Sequence, residues 1–442
     1  MRAGACREFT PPPIHKLVEV YAFSVFNLPM TKLIGITDSA PGDWKLTDLG
    51  WIFTLAIFFL GVSAAVFGRW VEEGGPRRAM FTAALCFGGG FLVSAAGVYA
   101  HNIWITYLGY GVLGGVGLGI GYISPVSTLI KWFPDRPGMA TGMAIMGFGG
   151  GALIASPLSV WLMARFSTPA HVGVAETFIV LGIVYCIFMM VGAAIVRVPA
   201  PGWQPEGWTA PAQPPKLVTS ANVYVYTALK TPQFWLIWWV LCLNVTAGIG
   251  VLGQASAMSQ EMFPGKVSAV AAAGFVGLMS IFNMAGRFLW ASGSDYMGRK
   301  NTYFCFFILG TVLYAIVPTA GRIGSVGLFV LCFLIIISMY GGGFATIPAY
   351  LKDMFGTRYV GAIHGLLITA WSAAGVFGPV LVNYIRAYEI AHGVPKADAY
   401  NVTMYVMAAL LVVGFFCNLF ISPVHERHHM TALPGDATLV TQ

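Results

Sequence analysis

Charge is what this chain has least of. Only 9% of its 442 residues are Asp, Glu, Lys or Arg, against about a quarter in an ordinary soluble domain. The 17 acidic residues all avoid the middle of the long apolar runs. A membrane-embedded enzyme needs paired acids, a nucleophile with its base or a metal cluster inside the bilayer, and those elements are missing, so no enzyme activity is expected. Seven cysteines are scattered without a single C-x-x-C pair. They read as small apolar packing residues, not as a disulfide framework or a metal centre. No cofactor is expected. Short alternating segments are also missing, which excludes a membrane β-barrel. Residues 1–13 lack the layout of a signal peptide and lead into the first apolar run.

What is abundant is apolar sequence. The chain is 57% hydrophobic, and runs of about 20 apolar residues, the length that crosses a bilayer, recur from end to end. The fold class is therefore an all-α polytopic membrane protein. Twelve spans are expected near 17–35, 49–69, 79–99, 103–126, 138–164, 174–196, 233–256, 267–293, 301–319, 326–349, 360–386 and 401–421. With the N-terminus inside, the inner segments carry 16 of the 24 Lys and Arg residues and the outer loops six. This bias places both termini in the cytoplasm and accounts for the net charge of +7 without nucleic acid. Six prolines make 199–231 an extended cytoplasmic linker. It separates an N-terminal six-helix half, 1–198, from a C-terminal half, 232–422. Residues 423–442 form a polar, flexible tail.

The halves repeat one another. Glu72, Gly75, Arg77 and Arg78 follow the second span; Asp295, Gly298, Arg299 and Lys300 follow the eighth. Gly138 and Gly142 open the fifth span, Gly361 and Gly365 the eleventh, with Pro157 and Pro379 late in each. Parallel halves of this kind are an architecture of secondary transporters. Glu72, Arg77, Asp295, Arg299 and Lys300 are expected to make interhelical charge contacts that hold an outward-facing state and release as the halves rock.

Arg287 stands apart. It lies in the eighth span with no acidic residue between Val267 and Ser294. A cation near the middle of a span costs about 3 kcal/mol on insertion scales, so a span that keeps one is expected to use it, and its use is to hold an anion. Asn283 lies one turn away and faces the same side. The guanidinium fork matches a carboxylate with two charge-assisted bonds, and Asn283 could donate a third. Helical side chains lean toward the N-terminus, which aims Arg287 at the midplane and away from the inner headgroups. The matching position in the first half is Ala64, so the fold itself does not require the charge.

The acidic–Gly–basic loops resemble the signature of the major facilitator superfamily over nearly the whole chain. GIGYISPVSTLIKWFPDR at 119–136 and GMATGMAIMGFGGG at 138–151 look like the oxalate:formate antiporter family, which is similar to bacterial monocarboxylate transporters. The resemblance implies a monomer in the bacterial inner membrane. It also implies that the helix-eight arginine, here Arg287, binds the substrate carboxylate, and that Tyr122 and Tyr340 line the site. The family's oxalate carriers have a lysine in helix eleven where this chain has Trp371. One arginine balances a monoanion and not a dianion, so a small monocarboxylate such as lactate, pyruvate or formate is expected as cargo, with oxalate/formate exchange as the alternative. Lys32, near the outer end of helix one, could restore a second charge, although an interfacial lysine is its plainer reading. His364 is the one histidine well inside a span; it suits proton handling or simple packing. Ala285 and Gly286 precede Arg287, so the Asp–Arg pair of animal monocarboxylate carriers is absent. Coupling is left between anion exchange and proton symport. A transporter-like sensor would be expected to carry a large signalling segment, and this linker and tail are short.

Overall fold

The structure, a computed structural model, describes residues 23–200, 203–209, 217–219 and 221–430. These residues are nearly all helical, with only two isolated β-bridges. Eleven helices among them are long and apolar enough to cross a membrane. In chain order they are α1 Leu46–Gly74, α2 Pro76–Tyr99, α3 Ile103–Trp132, α4 Pro137–Phe166, α5 Val174–Ile195, α6 Pro232–Leu252, α7 Ala269–Met297, α8 Arg299–Arg322, α9 Val326–Phe355, α10 Val360–Ala391 and α11 Asn401–Leu419. They correspond to the second through twelfth expected spans. The start of the first span lies outside the described residues; its later part forms a 3₁₀ turn, Phe23–Phe26, and one helical turn, Asn27–Met30.

Several helices extend a turn or more beyond the apolar runs. Two contain irregularities that periodicity did not reveal. A π-helical stretch, Tyr107–Gly114, widens α3. In α10 the helix breaks at Ile368, between Val360–Leu367 and Thr369–Ala391.

Glycine sets the breaks. Gly75 ends α1 with φ +80° and Gly298 ends α7 with φ +83°, a backbone region that side chains with a Cβ strongly disfavour. Their amides close on Val71 and Ser294 at 3.1 and 3.0 Å. The repeated glycine in the two loop motifs thus has one job in both: turning the chain from one span into the next.

The helices before residue 199 pack mainly on one another, as do those after 231, and the two groups meet through α4 on α7 and α1 on α10. Glycine again decides the contact. A Cβ on Gly142 would sit 2.9 Å from the carbonyl oxygen of Arg287, and one on Gly365 would collide with that of Ala64. Small residues let helices approach this closely. The two contacts are copies of each other, and they place Arg287 and Ala64 at equivalent positions, as the sequence repeat proposes.

One face of the bundle carries the linker and tail and is here called the linker face. Trp203 lies against Trp132 with ring centroids 5.2 Å apart, and its Nε1 donates to the Trp132 carbonyl. A short helix, Val225–Ala228, leads into α6. The segment after Pro423, expected to be free, is held through Met430, whose amide donates to the Asn222 carbonyl at 2.8 Å. Residues 431–442 lie outside the described residues.

Candidate functional site

Arg287 is 1% exposed at the contact between the two helix groups. Its Nε donates to Asn283 Oδ1 at 3.0 Å and its Nη1 to the Ile145 carbonyl of α4 at 3.3 Å. The bond to Asn283 runs back along α7, toward the helix N-terminus and away from Asp295. The asparagine oxygen accepts from the guanidinium and so orients it, and this bond does not use the Nδ2 hydrogens, the donors expected to face a substrate. Two glycines make room for the arginine stem: a Cβ on Gly341 would lie 3.1 Å from Cγ, and one on Gly149 would lie 3.2 Å from Nε.

The guanidinium carbon lies 5.4 Å from the centroid of Phe344 in α9, within cation–π range. Phe344 in turn meets Trp371 edge-on at 4.8 Å. Trp371 closes a small aromatic cluster with Tyr122 at 6.0 Å and Phe148 at 6.4 Å. His364 stands 5.4 Å from Tyr122. Trp371, Tyr122 and His364 are all 2% exposed or less.

Polar satisfaction is incomplete in this cluster. Arg287 Nη2, Trp371 Nε1 and both ring nitrogens of His364 have no hydrogen-bond partner among the described residues. A buried polar group without a partner costs about 1–3 kcal/mol, more when charged. The arrangement thus holds a guanidinium N–H, an indole N–H and an imidazole without partners among the described residues, set among apolar side chains.

The structure brings Arg287, Asn283, Tyr122, Trp371 and His364 together. Tyr340 meets Phe344 at 5.3 Å; its ring lies on Gly248 of α6 and lines a small cavity with Asn244 and Tyr314. Lys32 is not brought to Arg287. Its Nζ donates to the Thr37 carbonyl at 2.7 Å in an exposed turn. Sequence reasoning singles out neither Phe344, Phe148 nor the Ile145 carbonyl, because periodicity along α7 carries no information about α4 or α9. The signals beside them are Gly341–Gly343, just before Phe344, and the glycine-rich stretch 138–151, which contains Ile145 and Phe148.

On the linker face the loop residues form two latches. Asp295 accepts from the amides of Gly138 and Met139, at 2.8 and 2.9 Å, in the first turn of α4. Glu72 accepts from the Gly361 amide at 3.1 Å in the first turn of α10. Each carboxylate thus sits at the positive end of a helix from the opposite group. Arg299 holds Asp295 at 2.6 Å and Asp353 at 3.1 Å; Lys131 pairs with Glu72. Arg77 and Lys300 do not cross between the groups. Arg77 donates to the Ala194 carbonyl near the end of α5, and Lys300 to the Leu419 and Ile421 carbonyls at the end of α11. Both tie helices within their own group. Lys131, inside the 119–136 motif but not singled out there, and Asp353, outside every motif, prove to be latch partners.

Away from the linker face, Glu261 accepts from Arg386 Nε at 2.9 Å and from the Tyr400 hydroxyl at 2.8 Å. Burial alone would raise the Glu261 carboxyl, but these bonds outweigh it and hold it below the usual carboxylate range.

The profile of the Major Facilitator Superfamily matches residues 18–379. The oxalate:formate antiporter of Oxalobacter formigenes is 28% identical over 364 residues, covering 81% of this chain and 78% of that protein. Apicoplast pyruvate carrier 1 of Toxoplasma gondii is 25% identical, over 88% of this chain and 78% of the carrier. Among solved structures, the Escherichia coli fucose:proton symporter superposes with a TM-score of 0.67 at 14% identity, over 93% of this chain and 97% of the symporter. That likeness concerns the fold alone. With its helical repeat, paired loop motifs and profile match over most of its length, the chain belongs to the Major Facilitator Superfamily of membrane transporters.

Proposed function

We propose that this protein is a secondary active transporter of small monocarboxylate anions, with the carboxylate bound by Arg287. One observation carries the reading: a guanidinium that is 1% exposed and keeps one Nη without a partner among the described residues. A carboxylate between the two helix groups would neutralise it with the geometry arginine favours. Asn283 and the Ile145 carbonyl fix the fork beforehand, which reduces the ordering cost of binding. The substrate lies between residues 1–198 and 232–422, and the two halves rock about it. Both termini and the linker face are cytoplasmic, in a bacterial inner membrane, and one chain supplies every residue of the site.

Arg287 is the one fully buried cation in the cluster, which favours one carboxylate over two. The names of the relatives fit either cargo: one is an oxalate:formate antiporter and another a pyruvate carrier. Oxalate/formate exchange is the second reading. The deciding experiment uses purified protein in proteoliposomes. Uptake of labelled pyruvate or lactate is expected to be lost in Arg287→Ala with the protein still folded; retained uptake rejects the site. Competition by oxalate, formate and lactate at two pH values separates the cargoes, and dependence on a proton gradient separates symport from exchange.

A further inference from the structure

The two latches on the linker face share a neighbour. Residues 353–359 run from the last turn of α9 to the start of α10, and both latches hang from this segment. At one end Asp353 holds Arg299, which holds Asp295 against α4. At the other, the segment runs directly into α10, whose Gly361 amide meets Glu72. We propose that the linker and the tail together clasp this segment and thereby set the strength of both latches, so that Asn222 is a positioning residue for the conformational change.

The clasp joins three stretches of backbone. The Thr219 amide donates to the Asp353 carbonyl at 2.8 Å, and the Val223 amide to that of Phe355 at 2.9 Å. Asn222 is the hub: its side-chain Oδ1 accepts from the Arg358 amide at 3.0 Å, and its carbonyl accepts from Met430 of the tail. Val223, fully buried, pairs with His429 across an antiparallel bridge. Tyr224 meets Tyr359 edge-on at 5.5 Å, next to the start of α10. Gln233 of α6 anchors the tail through the Pro423 carbonyl at 3.1 Å.

Gly356 shows that the fit is specific. Its φ of +82° disfavours any side chain, and a Cβ there would run into the Ala221 carbonyl and Asn222 Oδ1. The clasp therefore joins a segment beyond the first helix group to the α9–α10 connection, which touches one latch through Asp353 and leads directly into the other at Gly361. Whatever moves the linker or the tail also moves the carboxylate–helix contacts. The device is independent of which anion is carried; it rests on the latches acting as a gate only for its effect on transport.

Hydrogen exchange on the full-length protein in nanodiscs reads both parts directly, because clasp and latches are made by amides. In Asn222→Ala, exchange is expected to rise at 219–224 and 356–359. It should also rise on the order of tenfold, the effect of losing one net hydrogen bond, at Gly361 and at Gly138–Met139. Residues 255–262, around the Glu261 contact, serve as the unchanged reference. Asn222→Asp keeps the acceptor and should restore slow exchange. Faster clasp exchange with unchanged latch amides overturns the proposal, as does unchanged exchange everywhere. Should Asn222→Ala loosen the whole protein, the chain shortened after Pro423 leaves every long helix intact and decides by the same comparison. Looser latches with unaltered uptake would leave the clasp standing and reject the gate.

Discussion

Arg287 carries its fork into the cluster with two of its bonds already made. Asn283 lies on the same helix, one turn away, and that pairing was legible from spacing alone. The Ile145 carbonyl and the Phe344 ring come from α4 and α9, and no periodicity within one helix could reveal them. Lysine at 287 would keep the charge but lose the planar fork. Arg287→Lys is therefore expected to raise KM for a monocarboxylate roughly tenfold to a hundredfold, about the value of one or two charge-assisted bonds, measured by initial uptake rates. Asn283→Ala leaves the fork unoriented and should give a smaller loss in the same assay. Trp371 tests the charge argument from the other side. Trp371→Lys adds a second cation to a cluster with one, and oxalate should become a better competitor against labelled pyruvate while pyruvate itself weakens. Oxalate competing equally in both proteins would reject the charge-balance reading.

At the scale of the element, the repeated glycines proved to be contact points. Gly142 and Gly365 open equivalent helices in the sequence; the fold seats them on the carbonyls of Arg287 and Ala64. A side chain at either position forces the helices apart, because the atoms it meets are backbone. Gly365→Leu is thus expected to lower the thermal midpoint in detergent and to abolish uptake, whereas the same change at Gly274, where nothing lies within 4 Å, should be tolerated. Glu261 makes a separate, pH-dependent contribution. Arg386 and Tyr400 hold its carboxyl below the ordinary range, so the folded state binds this proton less well than the unfolded chain. The stability it adds is present at neutral pH and is lost as pH falls below the ordinary Glu value, about 4.3, through the lowered one. Glu261→Gln should flatten this acid limb in melts taken from pH 7 to pH 3. The pairing was invisible in the sequence, where 125 positions separate Glu261 from Arg386.

For the whole molecule, the repeat explains why there are two latches, and their basic partners are where the halves diverge. Glu72 and Asp295 occupy matching loops and receive matching helix starts, Gly361 and Gly138. Their basic partners differ: Lys131 comes from the end of α3, and Arg299 from the start of α8 with Asp353 behind it. If the latches hold the linker face closed, Asp295→Asn should shift the population toward the state open on that face. The change is readable as faster exchange at Gly361, in the other latch, beyond the local effect at Gly138 and Met139. Equal protection in both proteins would mean the contact holds nothing.

The sequence by itself determined the class of the molecule, its second through twelfth spans, the internal repeat and the lone cation of the eighth span. These rest on hydropathy, glycine spacing and charge cost, all of which act locally along one chain. The tertiary structure decided which residues share the cluster and what the loops hold. Lys32 stays in its turn, Tyr340 faces its own helix group, Arg77 and Lys300 brace helices instead of bridging halves, and the linker is clasped to the tail. Each of those outcomes depends on which distant helix arrives opposite a given side chain. That is settled by packing between elements, and span-by-span reading contains no term for it.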